Sequence, residues 1–166
     1  MTHNSNQWIR DEDGRYSSRE PVTDEDILAL AGAILKDYLK TGDIFTSPRR
    51  VQQFLQCELG HLEREAFGCM FLTTRHALLT FEILFYGTVD SATVHPREVV
   101  KRALELNATA VILAHNHPSG NSNPSKPDEH LTKRLKDALA LIEVRVLDHI
   151  IVTPVETTSM AERGMV

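Results

Sequence analysis

His115 and His117 flank Asn116, and Asp128 follows eleven residues after His117. Two imidazoles and one carboxylate can hold a divalent cation and leave a fourth position open for water. That is the layout of a catalytic metal site rather than a closed structural one. In a strand, residues i and i+2 share a face, roughly 6.6 Å apart. Two histidines at that spacing can converge on one ion with ligand bonds of ~2.0–2.1 Å. Asn116 points to the other face and is not a ligand by this geometry. Asp128 stands at a helix start, where the dipole favours a carboxylate. Pro118, Pro124 and Pro127 restrict the intervening loop and lower the entropy cost of holding a third ligand. The spacing alone does not decide the matter. A chain with eight histidines can hold an H-x-H pair by chance. Hydrogen-bonded loop histidines beside an N-cap aspartate satisfy the same pattern.

The elements that would position these residues follow from periodicity. Ala110 to Ala114 is short and wholly apolar, the pattern of a central strand covered on both faces. It delivers the two histidines into a polar loop from Pro118 to Pro127. Asp128 then opens a helix with Leu131, Leu135, Ala138, Leu139 and Ile142 inside. Val144 to Val152 reads as a further strand. Upstream, Phe67 to Thr74 and Leu78 to Tyr86 form a β-hairpin around Arg75-His76-Ala77. Glu82 is a charge inside that second, otherwise apolar strand, which demands a partner or a pocket. Gly87 to Ser91 reads as loop. His95 is a helix-entry residue. Pro96 opens a helix to about Asn107, with Val99, Val100, Ala103 and Leu104 as its inner stripe. Nearer the start, Thr23 offers an N-cap with Asp26 three residues on. Ile27, Ala31, Ile34, Leu35 and Tyr38 recur at helical spacing, and Gly42 stops that helix. Ser47-Pro48 starts another, with Val51, Phe54 and Leu55 on its apolar face. Helices alternating with strands predict an α/β domain, helices packed on a mixed sheet.

Bulk properties narrow the function. The 166 residues are one domain's worth, long enough to bury a core. The net charge of −5 argues against broad adhesion to nucleic acid or anionic membrane. Arg49-Arg50 and Lys133-Arg134-Lys136 read as solvated helix faces. Cys57 and Cys69 are the only cysteines. They form no metal or redox motif and read as reduced, half-buried fillers. Residues 1–22 read as a flexible polar tail with no secretory h-region. No stretch approaches the roughly 18 apolar residues of a membrane span. A cytoplasmic location is the expectation. Asp148 and His149 lie inside a strand pattern and are expected to make core hydrogen bonds or to support the ligands rather than form a second metal site.

The run H-x-H, seven residues, Ser, two residues, Asp is filled by His115, His117, Ser125 and Asp128. It resembles the signature of the JAMM/MPN metalloprotease domain. Longer stretches resemble the RadC family, a bacterial branch of that superfamily. These are Phe81 to Thr88, His95 to Ala103, Ala114 to Gly120, Leu147-Asp148-His149 and Ser159 to Gly164. The resemblance covers about residues 45–166, and the short N-terminal part is similar to single-domain, prophage-type members. It implies a JAB/MPN (deaminase-like) domain over residues 61–166, preceded by a helical segment at 23–60 packed on the core. It implies a zinc ion held by His115, His117 and Asp128. Ser125 would hydrogen-bond the reacting oxygen and stabilise a tetrahedral oxyanion. Glu82 would match the family's upstream catalytic acid, taking a proton from a metal-acidified water and giving it to a leaving amine. The implied reaction is amide hydrolysis of a peptide or isopeptide, with substrate and oligomeric state open.

Other classes fit less well. An amidohydrolase with H-x-H needs a barrel of about 250 residues. A zinc deaminase needs H-x-E with P-C-x-x-C, and an H-E-x-x-H protease needs its own motif; neither pattern is present. RadC proteins carry a historical DNA-repair name, so a DNA-associated accessory protein is the rival from another class. The chain offers it no helix-hairpin-helix glycine motif and no basic groove. A catalytically silent, metal-bound interaction domain is the third reading.

Overall fold

The computed structural model describes residues 8–41, 48–87 and 94–166. In chain order the elements are β1 (Trp8–Arg10), β2 (Tyr16–Ser18), α1 (Asp24–Thr41), α2 (Pro48–Leu59), β3 (Ala66–Leu72) and β4 (Leu78–Tyr86). Then come α3 (Pro96–Glu105), β5 (Ala110–Asn116), α4 (Lys126–Ala140), β6 (Arg145–Val152) and β7 (Thr157–Ser159). Five strands form one sheet in the order β4-β3-β5-β6-β7. β5 and β6 run parallel, joined through α4, and the other neighbours are antiparallel. This is the expected mixed sheet with flanking helices. Among the described residues no helix is long and apolar enough to cross a membrane.

β5 lies at the centre because its side chains serve two cores at once. Ala110, Ile112 and Ala114 join Val51, Phe54, Leu55 and Leu59 of α2 on one face. Val111 and Leu113 join Val99 and Ala103 of α3 and Leu135 and Leu139 of α4 on the other. The period of two in a strand explains the split, and full coverage explains the wholly apolar run. Gly68 of β3 is where Phe81 crosses the sheet. A Cβ there would meet the Phe81 ring at 2.6 Å, and that ring stands edge-on to Phe54 with centroids 5.5 Å apart.

Several expectations need correction. Residues 8–18 are not without regular structure, because β1 and β2 pair antiparallel there. Thr23 does cap α1, exchanging bonds with Asp26. The buried stripe of α1 is rotated, however: Ile27 and Tyr38 are exposed, whereas Gly32 and Leu39 are buried. Gly32 is the cause. Its missing side chain lets α2 approach, with Glu58 and Cys57 where a Cβ would reach. In α3, Leu104 faces solvent, because Val99 and Ala103 one turn apart already meet the sheet. β5 continues through Asn116, and α4 starts at Lys126, two residues before Asp128. The expected stop at Gly42, the cap at Ser47 and the loop at 88–91 lie outside the described residues.

Candidate metal centre

The centre forms where β5 ends and α4 begins. His115 occupies the sixth position of β5, and His117 follows the strand while its N–H still donates to Val152 of β6 at 2.7 Å. Both rings therefore leave the sheet on the α3/α4 side, as the i, i+2 spacing requires. Their Nε2 atoms are 2.9 Å apart. Asn116 points the opposite way. Its amide donates to the carbonyls of Leu62 and Arg64 and accepts from the Ala66 N–H at 2.7 Å. It pins the segment leading into β3 rather than facing the site.

Asp128 reaches the histidines from the first turn of α4. Ser125 is the N-cap of that helix and forms a reciprocal capping box with Asp128. Its N–H and hydroxyl donate to Asp128 Oδ2 at 2.7 and 2.6 Å. Oδ1 lies 3.2 Å from His115 Nε2, and Oδ2 lies 3.7 Å from His117 Nε2. Burial pushes the Asp128 carboxyl up. Hydrogen bonding and charge from His115, with the bonds from Ser125, more than offset this and hold it well below the usual carboxylate range.

The loop between them is tied down. Gly120 adopts φ +82°, a left-handed turn suited to glycine. The turn brings the Asn121 carbonyl to 2.7 Å from His117 Nδ1. Ser122 donates to Glu156 at 2.5 Å, and Arg163 donates to Asn123 at 3.1 Å.

This donor set fits a cation. A carbonyl oxygen only accepts, so His117 Nδ1 carries the proton and its Nε2 presents a lone pair. Two Ser125 donors occupy Asp128 Oδ2, and Oδ1 is turned towards His115 Nε2. One ligand atom from each of His115, His117 and Asp128 lies within 4.8 Å of the others. Two imidazole nitrogens and a carboxylate oxygen suit zinc and other borderline divalent metals.

Behind the ligands, His149 is fully buried. Its Nε2 is 2.8 Å from His115 Nδ1, and its Nδ1 is 2.6 Å from Thr132 Oγ1. Burial drives its pKa well below the ordinary histidine value, with repulsion from His115 adding to the fall, so the ring is neutral. Asp148 bonds Ser159 and the N–H groups of His149 and Ala161. Both residues therefore sit in the supporting hydrogen-bond roles expected of them. His95 precedes α3 as expected, its ring edge-on to Phe85.

Two expected roles are not supported by the geometry. Glu82 stands on β4, two strands from β5, and pairs in register with Cys69, itself opposite Leu113. Two strand spacings across and two residues along place it roughly 12 Å from His115. Its carboxylate is clasped by Arg102 of α3 through two bonds of 2.7 and 2.5 Å. Those bonds, against the opposing pull of burial, hold its pKa below the ordinary value, which makes it a weaker base. The charge inside the apolar strand is satisfied by an arginine, not by the site. Ser125 is at the site, but its one proton is given to Asp128, so it orients a ligand and is not free to stabilise an oxyanion.

One acid was missed. β3 pairs antiparallel with β5, with Phe67 opposite His115. The ladder ends there, and Glu65, the residue just before β3, lies beyond it at the same end of the sheet as His117. The same period of two gives Glu65 the face of Phe67, which packs in the α3/α4 core. Glu65 is exposed. Its main-chain carbonyl takes the Gly87 N–H at 2.8 Å, and among the described residues no hydrogen bond or ion pair engages its carboxylate. The available signal was its place directly before a strand of uniformly buried residues.

Residues 45–165 match the family model of the RadC-like JAB domain. A UPF0758 protein of Nitrosococcus oceani is 59% identical over 79% of this chain, which covers 58% of that relative. One from Stutzerimonas stutzeri is 54% identical over 83% of the chain and 62% of the relative. A shorter UPF0758 protein of Vibrio cholerae is 50% identical over 90% of the chain and 94% of the relative. The chain thus spans about three fifths of the first two relatives, and these names state no activity.

Proposed function

The chain belongs to the RadC-like JAB domain family, and from that premise we propose that it is a zinc-dependent hydrolase of a peptide or isopeptide amide. The observation that carries this reading is the convergence of His115, His117 and Asp128, with acceptor atoms of His117 and Asp128 turned towards His115. A divalent metal bound there would supply a Lewis acid and acidify a water molecule. Glu65, open to solvent at the His117 end of the sheet, accepts the proton of the attacking water and returns it to the leaving amine. Such a role contributes typically about 10²–10⁴-fold. Ser125 holds Asp128 in place. The Asn121 carbonyl holds His117 in the tautomer that presents Nε2. Glu82 keeps α3 docked on β4 and has no part in proton transfer.

The test is metal analysis of the wild-type protein beside Asp128→Ala, followed by cleavage of peptide and isopeptide libraries with and without chelator. Near-stoichiometric zinc lost in the variant, with chelator-sensitive cleavage, is the expected result. A wild-type protein that takes up no divalent metal overturns the metal reading. Stoichiometric metal without cleavage of either library overturns the hydrolase reading and leaves a silent metal-bound domain.

A further inference from the structure

On the face of the sheet away from the metal centre, a groove of about 210 Å³ opens between α2 and β6. Val51 of α2 and Ile112, Leu147 and Ile150 of the sheet make its apolar wall, and Asp148 and Glu162 stand in the same lining. Asp148 is there because β6 is irregular. Val111 pairs with Val146 but Ile112 pairs with Asp148, so Leu147 is an extra residue in the ladder. Such a bulge breaks the alternation of two and lets neighbouring side chains share a face. Leu147 and Asp148 therefore both meet the groove, whereas His149 turns to the opposite core against Phe67. The Asp148 carboxylate is half-buried and is held by neutral donors. Oδ1 accepts from the N–H groups of His149 and Ala161 at 2.7 and 2.9 Å, and Oδ2 accepts from Ser159 Oγ at 2.7 Å. Among the described residues no ion pair engages it, and no lysine or arginine lines the groove.

A charge set in an apolar wall costs free energy until a counter-charge meets it. A carboxylate has about four acceptor sites, and three of those on Asp148 are taken. The remaining one suits a single donor. A guanidinium fork needs two parallel acceptors, whereas an ammonium needs one. The apolar wall suits the four-carbon stem that carries the ammonium of lysine. Pockets for whole small ligands usually run ~300–1,000 Å³, so this smaller space fits one side chain. We infer that the groove is a docking site for a lysine side chain of a partner polypeptide, its stem against Ile112, Leu147 and Ile150 and its ammonium on Asp148. Glu162, exposed at the rim, adds negative potential there. His115 and His117 leave the other face of the sheet, so a partner held in the groove keeps the metal centre open. The site goes beyond the hydrolase reading and does not depend on it.

The experiment follows the methyl resonances of Val51, Ile112, Leu147 and Ile150 by nuclear magnetic resonance as Nα-acetyl-lysine amide is added to the whole protein. The comparison probes are Nα-acetyl-norleucine amide, which keeps the stem without the charge, Nα-acetyl-arginine amide, and n-butylamine. Saturable shifts confined to the groove are expected with the lysine probe, and about tenfold weaker binding of the norleucine and arginine probes. Asp148→Asn is expected to weaken lysine binding by about tenfold as well. Glu162→Gln, a change at an exposed residue that leaves the fold intact, is expected to weaken it about twofold. No saturable shift at these methyls overturns the inference. So does equal affinity for the norleucine or arginine probe, or lysine binding unchanged in both variants. n-Butylamine bound as tightly as the lysine probe assigns the groove to a free amine and overturns the polypeptide partner.

Discussion

Glu82 and Glu65 are two carboxylates on the same side of one sheet, and they came to opposite ends. Glu82 is an acid inside an apolar strand, the more conspicuous of the two in the sequence. Arg102 reaches it from α3 with two hydrogen bonds and closes the account of its charge. Glu65 sits just before β3, marked in the sequence only by its place ahead of an apolar run, and its carboxylate has no partner among the described residues. A buried-looking charge announces only that something must neutralise it. A carboxylate fit for proton transfer is instead one left unpaired beside the reacting groups, and that depends on register between strands.

The contrast can be broken at several points. Asp128→Ala sets the floor, because it removes a ligand and not a proton carrier. Its zinc affinity should fall by more than the 10–100-fold typical of supporting partners, read by competition with a chromogenic chelator, and turnover should vanish with it. Glu65→Gln should keep zinc at full stoichiometry yet lose about 10²–10⁴-fold in kcat. Full activity in this variant would remove Glu65 from the mechanism.

Asn116→Ala leaves the Ala66 N–H and two carbonyls in the segment before β3 without their partner. Each buried group left unmade costs about 1–3 kcal/mol, so chemical denaturation should show a clear loss of stability. Turnover should drop as well, since that segment carries Glu65; an unchanged kcat would mean Glu65 does not depend on the brace.

Glu82→Gln should have the smallest effect, with kcat within about twofold of wild type at neutral pH, since neither Glu82 nor Arg102 reaches the site. A loss on the scale of Glu65→Gln would reverse the comparison. The stability of the variant has a pH signature. Arg102 depresses the folded-state pKa of Glu82. The pair therefore stabilises the fold above the unfolded carboxylate pKa, and this contribution disappears as pH falls through the folded value. The melting temperatures of wild type and Glu82→Gln should differ modestly at neutral pH and converge in acid.

Much of the centre was legible before any tertiary structure. His115, His117 and Asp128 follow from residue type, the i, i+2 spacing and a helix-start carboxylate. The exclusion of Asn116 follows from the same alternation. The mixed sheet follows from strands alternating with amphipathic helices. The faces of α1 and α3 were less legible. Periodicity gives a stripe about a turn wide, but Gly32 rotates the contact of α1 towards α2, and Leu104 lies outside the contact that Val99 and Ala103 make.

The sequence by itself singled out His115, His117 and Asp128 as a candidate group and laid out the order of the elements, because both rest on local geometry that repeats every two or 3.6 residues. Only the tertiary structure decided which acid is neutralised by an arginine, what the Ser125 hydroxyl does, and what a threonine inside α4 meets. The first and the last depend on a partner far along the chain: Arg102 for Glu82 and His149 for Thr132. Asp128 is only three residues from Ser125, yet even that bond depends on a helix forming between them. A hydrogen bond has one donor and one acceptor, and spacing along a chain does not say which pairs will meet.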